Sequence, residues 1–76
     1  MVTDAAWQAK AKGLLKAELK RRGVSYKELV EKLEKLGVKE SEQNIANKIS
    51  RGGFSAVFLL QCLEAIECRN VQIGLD

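Results

Sequence analysis

The stretch Ser41–Gly53, SEQNIANKISRGG, gathers the side chains of this chain best suited to recognition chemistry. Read as a helix, it places Ile45 and Ile49 one turn apart on one face. Gln43, Asn44, Asn47, Ser50 and Arg51 then fall on the opposite side, at about 100° per residue. That side carries uncharged amides and one arginine. An amide side chain donates and accepts at once, so Asn or Gln can pair with the adenine edge in a DNA major groove. Arg51 can reach guanine or a phosphate. The bland counterpart is a surface helix that lacks acids on its outer face.

Other chemistries find little support. The chain has no histidine, and its two cysteines, Cys62 and Cys68, stand six positions apart on one predicted helix. That spacing is about 600° of helical rotation, so the thiols face different ways and a mutual disulfide is not expected. With no C-x-x-C and no histidine, neither a zinc site nor a histidine-based triad is expected. Glu28, Glu31 and Glu34 belong to charged helix faces beside lysines. No catalytic residue, metal or cofactor is assigned, and no enzyme is expected. No apolar run approaches the roughly 20 residues of a membrane span. The opening MVTDAAWQAK lacks a basic-then-apolar signal pattern. Free, apolar cysteines suit a reducing compartment, so a cytoplasmic protein without a membrane partner is expected.

The elements that position the Ser41–Gly53 stretch can be read in order. The 76 residues are 46% hydrophobic, which predicts a single globular domain over 1–76 with one small core. A first helix is predicted over about 4–22, capped by Thr3 and stopped by Gly23, with Trp7, Ala11, Leu14, Leu15 and Leu19 on one side. Lys12, Lys16 and Lys20 stack at i, i+4 on the other. Glu18 and Arg22 lie on the apolar side. They read either as a partly buried ion pair or as two long stems carrying their charges out to water. Gly13 reads as a close backbone approach or as simple tolerance. A second helix, about 26–36, opens with the capping box Ser25-Tyr26-Lys27-Glu28 and the staple Val24/Leu29. It closes at Gly37, with Val38 placed to touch Leu33.

The third helix, about 42–50, is capped by Ser41. The fourth, about 56–68, is capped by Ser55, and Leu59, Cys62, Leu63 and Ile66 form its inner stripe. Val57, Phe58, Leu60 and Ala65 widen its apolar surface. Val71-Gln72-Ile73-Gly74-Leu75 alternates as a strand does, and it is the one strand candidate, over 71–75. The expected fold is all-α: a four-helix helix-turn-helix domain with one short C-terminal β-strand. Its expected core is Trp7, Leu15, Leu29, Leu33, Ile45, Ile49, Leu59, Leu63 and Ile66. A lone strand needs a partner, and the simplest is the same strand of a second copy. This predicts a homodimer whose interface comprises Phe58, Leu60, Val71, Ile73 and Leu75.

Charge is unevenly distributed. Residues 1–23 carry six basic and two acidic groups, residues 24–37 three of each, residues 38–53 three and two, and residues 54–76 one and three. The positive potential therefore lies in the first helix and the Ser41–Gly53 stretch, a pointer to a polyanionic partner.

Two amphipathic helices joined by a glycine-containing turn, the second with an amide-rich outer face, form a helix-turn-helix pattern. The order S-x-x-E-L at Ser25–Leu29, L-G-V at Leu36–Val38 and N-I-x-x-K-I-x-R-G at Asn44–Gly52 resembles the lambda-repressor-like, Xre/Cro type of bacterial and phage DNA-binding domain. The likeness covers about residues 10–66. The chain is also similar to a small bacterial family of uncharacterised domains with an N-terminal tryptophan and a K-I-S-R-G-x-F-S segment. It departs from the repressor pattern at Val30, where a small residue is usual, and in a second helix about one turn longer. The resemblance implies base contacts from Gln43, Asn44, Asn47 and Arg51, and phosphate contacts from Tyr26, Lys27 and Lys48. The expected function is sequence-specific binding of double-stranded DNA by a small transcriptional regulator. The alternative is a protein–protein adaptor or dimerisation module on the same fold without DNA binding.

Overall fold

Four hydroxyl side chains begin the four helices. In the computed structural model, which describes residues 3–73, Thr3, Ser25, Ser41 and Ser55 accept from the backbone N–H of Ala6, Glu28, Asn44 and Phe58 at 3.0–3.2 Å. The helices they open are α1 (Asp4–Arg21), α2 (Tyr26–Lys35), α3 (Glu42–Arg51) and α4 (Ala56–Ala65). At Ser25 the capping box is complete, because Glu28 accepts in return from the Ser25 N–H at 2.9 Å.

Three of the helices also end alike. The N–H groups of Val24, Val38 and Cys68 reach back to the carbonyls of Leu19, Leu33 and Leu63. The residue before each is left-handed: Gly23 at φ 65°, Gly37 at φ 82° and Glu67 at φ 58°. Glu67 is the non-glycine among them, and it stops α4 at Ala65, three residues before the expected end. Val24, Val38 and Cys68 then turn inwards onto the core.

The core is a single cluster. Leu15 and Leu19 come from α1, Leu29 and Leu33 from α2, Ile45 and Ile49 from α3, and Phe58, Cys62 and Leu63 from α4, with Ile66 and Cys68 beyond it. α1 and α2 each lie against both α3 and α4. Cys62 is fully buried, and burial pushes its thiol up to about 12, so it acts as a small apolar side chain. Cys62 and Cys68 are both free.

Several expectations need correction. Trp7 is 56% exposed and outside the core. At that end of α1, Trp7 shares a surface groove with half-buried Leu59 of α4 and exposed Ile73. Lys10 instead stands over the indole, its Nζ 5.5 Å from the ring centroid. Phe58, expected at an interface, is buried in the core, where its ring meets that of Phe54 at 5.6 Å. Gly13 is exposed and has open space where a side chain would stand, so no close approach occurs there. The expected C-terminal strand is not seen among the described residues: residues 71–73 are irregular, and Gly74 and Leu75 lie outside the described residues. An alternating pattern makes a strand only where another strand accepts its ladder bonds, and the described residues contain none. Val71 packs onto the helical core, while Ile73 remains exposed.

The mixed pair on α1 proves to be a buried carboxylate held by several donors. Glu18 is 4% exposed. Arg22 reaches its Oε1 at 2.5 Å, Arg21 its Oε2 at 3.1 Å, and the Cys68 thiol lies 3.6 Å from Oε1. The Arg22 hydrogen bond is the main reason the Glu18 carboxyl sits below its usual range, against the opposing effect of desolvation. This cluster ties the segment after α4 to α1, and the single S–H of Cys68 has the Asn70 carbonyl, at 3.3 Å, as its alternative acceptor.

Because folded Glu18 binds its proton less tightly than the unfolded carboxyl, its stabilisation is present above the ordinary value of 4.5 and fades as pH falls through the lower folded value. Glu18→Gln should therefore lower stability at pH 7, and its deficit against wild type should shrink well below pH 4.5. Urea unfolding at both pH values checks this; a deficit independent of pH would contradict the charge-based account.

Candidate nucleic-acid interface

Ile45 and Ile49 are fully buried, which turns the other side of α3 to solvent. Gln43, Asn44, Asn47, Ser50 and Arg51 are all exposed there. Gln43, Asn47 and Ser50 share one row, at i, i+4 and i+7. Within it the Gln43 Nε2 donates to Asn47 Oδ1 at 3.2 Å. The bond engages Nε2 and Oδ1, so Gln43 Oε1 keeps its capacity to accept and Asn47 Nδ2 its capacity to donate. An adjacent acceptor and donor is the pattern that adenine's N6–H and N7 require in the major groove. Asn44, one residue round the helix, gives its backbone N–H to the cap bond, and its side-chain amide has no partner among the described residues. The acid of α3, Glu42, stands in its first turn, where the helix dipole favours it.

α1 fixes the other end of this face. Gly52 is buried, in the left-handed conformation at φ 73°, directly against the backbone carbonyl of Gln8. A side chain at Gly52 would collide with that carbonyl, and one at Gly53 would stand 3.3 Å from the Gln8 amide nitrogen. Lys12, one turn further along α1, donates its Nζ to the Ser50 carbonyl at 3.2 Å. An α3 carbonyl left without a helical partner is thereby satisfied by a cation, as the negative end of the helix favours. Sequence reasoning assigned no such role to Gln8, Lys12 or Gly52. One signal was present: one glycine is enough to end a helix, and here there are two in succession.

The residues expected at phosphates are placed less uniformly. Lys27 is exposed in the first turn of α2, and Tyr26 is half-buried and packs on the core. Lys48 is engaged within the chain, its Nζ 2.5 Å from Glu40 and 4.8 Å from the Phe58 ring centroid. At about 100° per residue Lys48 falls on the flank of α3 away from Ser50, with Asn44 and Arg51 between it and the amide row. Among the described residues, no three His, Cys, Asp or Glu side chains cluster as a metal site would. No described helix is long and apolar enough to cross a membrane.

A separate apolar groove runs between α1, α4 and the tail, lined by Trp7, Ala11, Leu14, Leu59 and Ile73 with Lys10 at its edge. Leu60 and Val57 are exposed on the outer face of α4.

The family model described as "Domain of unknown function (DUF6471)" matches residues 7–71, from the exposed tryptophan to the end of the packed tail. No curated protein and no solved structure matches the chain.

Proposed function

The chain belongs to the DUF6471 family of domains of unknown function, and we propose that it binds double-stranded DNA sequence-specifically through α3, as a small transcriptional regulator of the helix-turn-helix type. The observation that carries this reading is the exposed amide face of α3, on which Gln43 and Asn47 are joined by a side-chain hydrogen bond that leaves one acceptor and one donor over. In a helix lying in the major groove, Gln43, Asn44 and Asn47 meet base edges, and Arg51 reaches guanine or a phosphate from the last turn. The basic first third of the chain and the exposed Lys27 supply non-specific attraction.

Mobility shift against pooled genomic fragments at two salt concentrations tests the reading. A preferred sequence should emerge, with affinity that falls steeply as salt rises. On that sequence Asn47→Ala should lose roughly 1–3 kcal/mol of discrimination at one or two base positions. Binding with no sequence preference, or an Asn47→Ala protein that discriminates like wild type, would overturn the groove assignment.

The groove between Trp7, Leu59 and Ile73 favours a second reading, a protein–protein module on the same helices. Apolar side chains grouped on a surface mark association sites more often than isolated ones do. The two readings combine in a homodimer, whose two α3 helices would address half-sites one helical turn apart. In that dimer the groove and Leu60, rather than a paired strand, form the contact. Light scattering on the wild type and on Leu60→Lys checks it. A dimer that the lysine dissociates is expected; a wild type that stays monomeric at high micromolar concentration removes the dimer.

A further inference from the structure

α1 meets α3 in a fixed order. Gln8 packs against Gly52 and Gly53, and Lys12, one turn later, binds the Ser50 carbonyl. Moving forwards along α1 therefore moves backwards along α3, from Gly53 towards Asn47. Ser50 is the last member of the row Gln43, Asn47, Ser50, and Lys12 is the first of the row Lys12, Lys16, Lys20. The two rows thus start side by side at the Lys12–Ser50 contact. Lys16 and Lys20 are exposed. Among the described residues, none of the three lysines is within ion-pair distance of a carboxylate, whereas Lys48, Arg21 and Arg22 all are. The acids of α1 do not offset the row: Asp4 stands at the far N-terminal end, and Glu18 is buried between two arginines.

We infer that the Lys12–Lys16–Lys20 row of α1 is a second nucleic-acid contact, which grips the phosphate backbone beside the groove that α3 enters. This inference rests on the reading of α3 as the groove-entering helix, and it names the surface that holds α3 there. It moves the main electrostatic contact from Lys48, which Glu40 neutralises, to the opposite flank. Successive lysines of the row rise by about 6 Å along the helix, and a DNA strand presents one phosphate per roughly 3.4 Å of axis, so each ammonium can take its own phosphate. Lys12 holds the row in register with α3 through its bond to Ser50. Lys16 and Lys20 supply charge without base readout, because flexible ammonium groups on phosphates carry no sequence information.

The test measures affinity against salt concentration, by fluorescence anisotropy, for the selected duplex and for a scrambled duplex. The full-length chain is compared with Lys16→Ala, Lys20→Ala, Lys48→Ala, Asn47→Ala and Lys35→Ala. Lys35, at the other end of α2 beside Glu64 and Arg69, serves as the charge control. Lys16→Ala and Lys20→Ala should each flatten the slope of log affinity against log salt by about 0.9, equally on both duplexes. Lys35→Ala and Lys48→Ala should leave it unchanged. If Asn47→Ala loses discrimination while the α1 variants keep the wild-type slope, the lysine row is overturned and the α3 reading survives. If Lys35→Ala flattens the slope as much as Lys16→Ala, the effect is net charge alone and the row is again overturned. If the wild type binds neither duplex, the α3 reading fails and the lysine row fails with it.

Discussion

The approach of α1 to Gly52 is the constraint on which the rest of the arrangement depends. The Gln8 carbonyl occupies the space that any side chain at Gly52 would need, and φ 73° there disfavours every residue except glycine. Because the atom in the way is backbone, the contact sets how far α1 can close on the end of α3. From that contact, Lys12 falls on Ser50 and Leu15 enters the cluster that contains Ile49. The amide face of α3 is then left uncovered, since its buried side is turned to α1 and α2. A surface helix can present a recognition face only if something rigid determines which face remains outside, and here a glycine and a carbonyl do so.

Electrostatics divides the surface in a related way. Three carboxylates are engaged, Glu18 by Arg21 and Arg22, Glu28 by its own capping box and Glu40 by Lys48, while Glu42 stands exposed in the first turn of α3. The lysines of the exposed row on α1 have no such partners among the described residues. The chain's modest net charge of +3 is therefore unevenly spread, with Lys16 and Lys20 exposed on α1 while three of the carboxylates are held in internal contacts. The Glu18 cluster has a structural use as well. With Cys68 against the carboxylate, it fastens the segment beyond α4 to α1.

Local signals made most of the fold legible in the sequence. Thr3, Ser25, Ser41 and Ser55 mark helix starts because a short hydroxyl side chain caps within three residues of itself, and Gly23 and Gly37 mark ends for an equally local reason. The buried sides of α2 and α3 followed from apolar spacing alone. Features that depend on distant partners were not legible. Trp7 has a core residue's chemistry but stands where α4 does not cover it, and Phe58 looked like surplus surface until Phe54 and Lys48 closed around it. Glu67 ends α4 without the glycine that would announce it. For the candidate site, the amide face could be read from Ser41–Gly53. That Lys48 is occupied and Lys12 anchored could not, because Glu40 and Ser50 reach them only through the tertiary fold.

Amide resonances of the labelled protein, followed while the selected duplex is added, test the central claim most directly. Gln43, Asn44 and Asn47 each carry a side-chain NH2 that reports on its own surroundings, on a face otherwise open to water. If α3 enters the groove, those three signals should shift or broaden together and saturate with the duplex, while the indole N–H of Trp7 stays put. The account is contradicted if the side-chain amides of α3 remain still and the perturbation gathers at Trp7, Leu60 and Ile73.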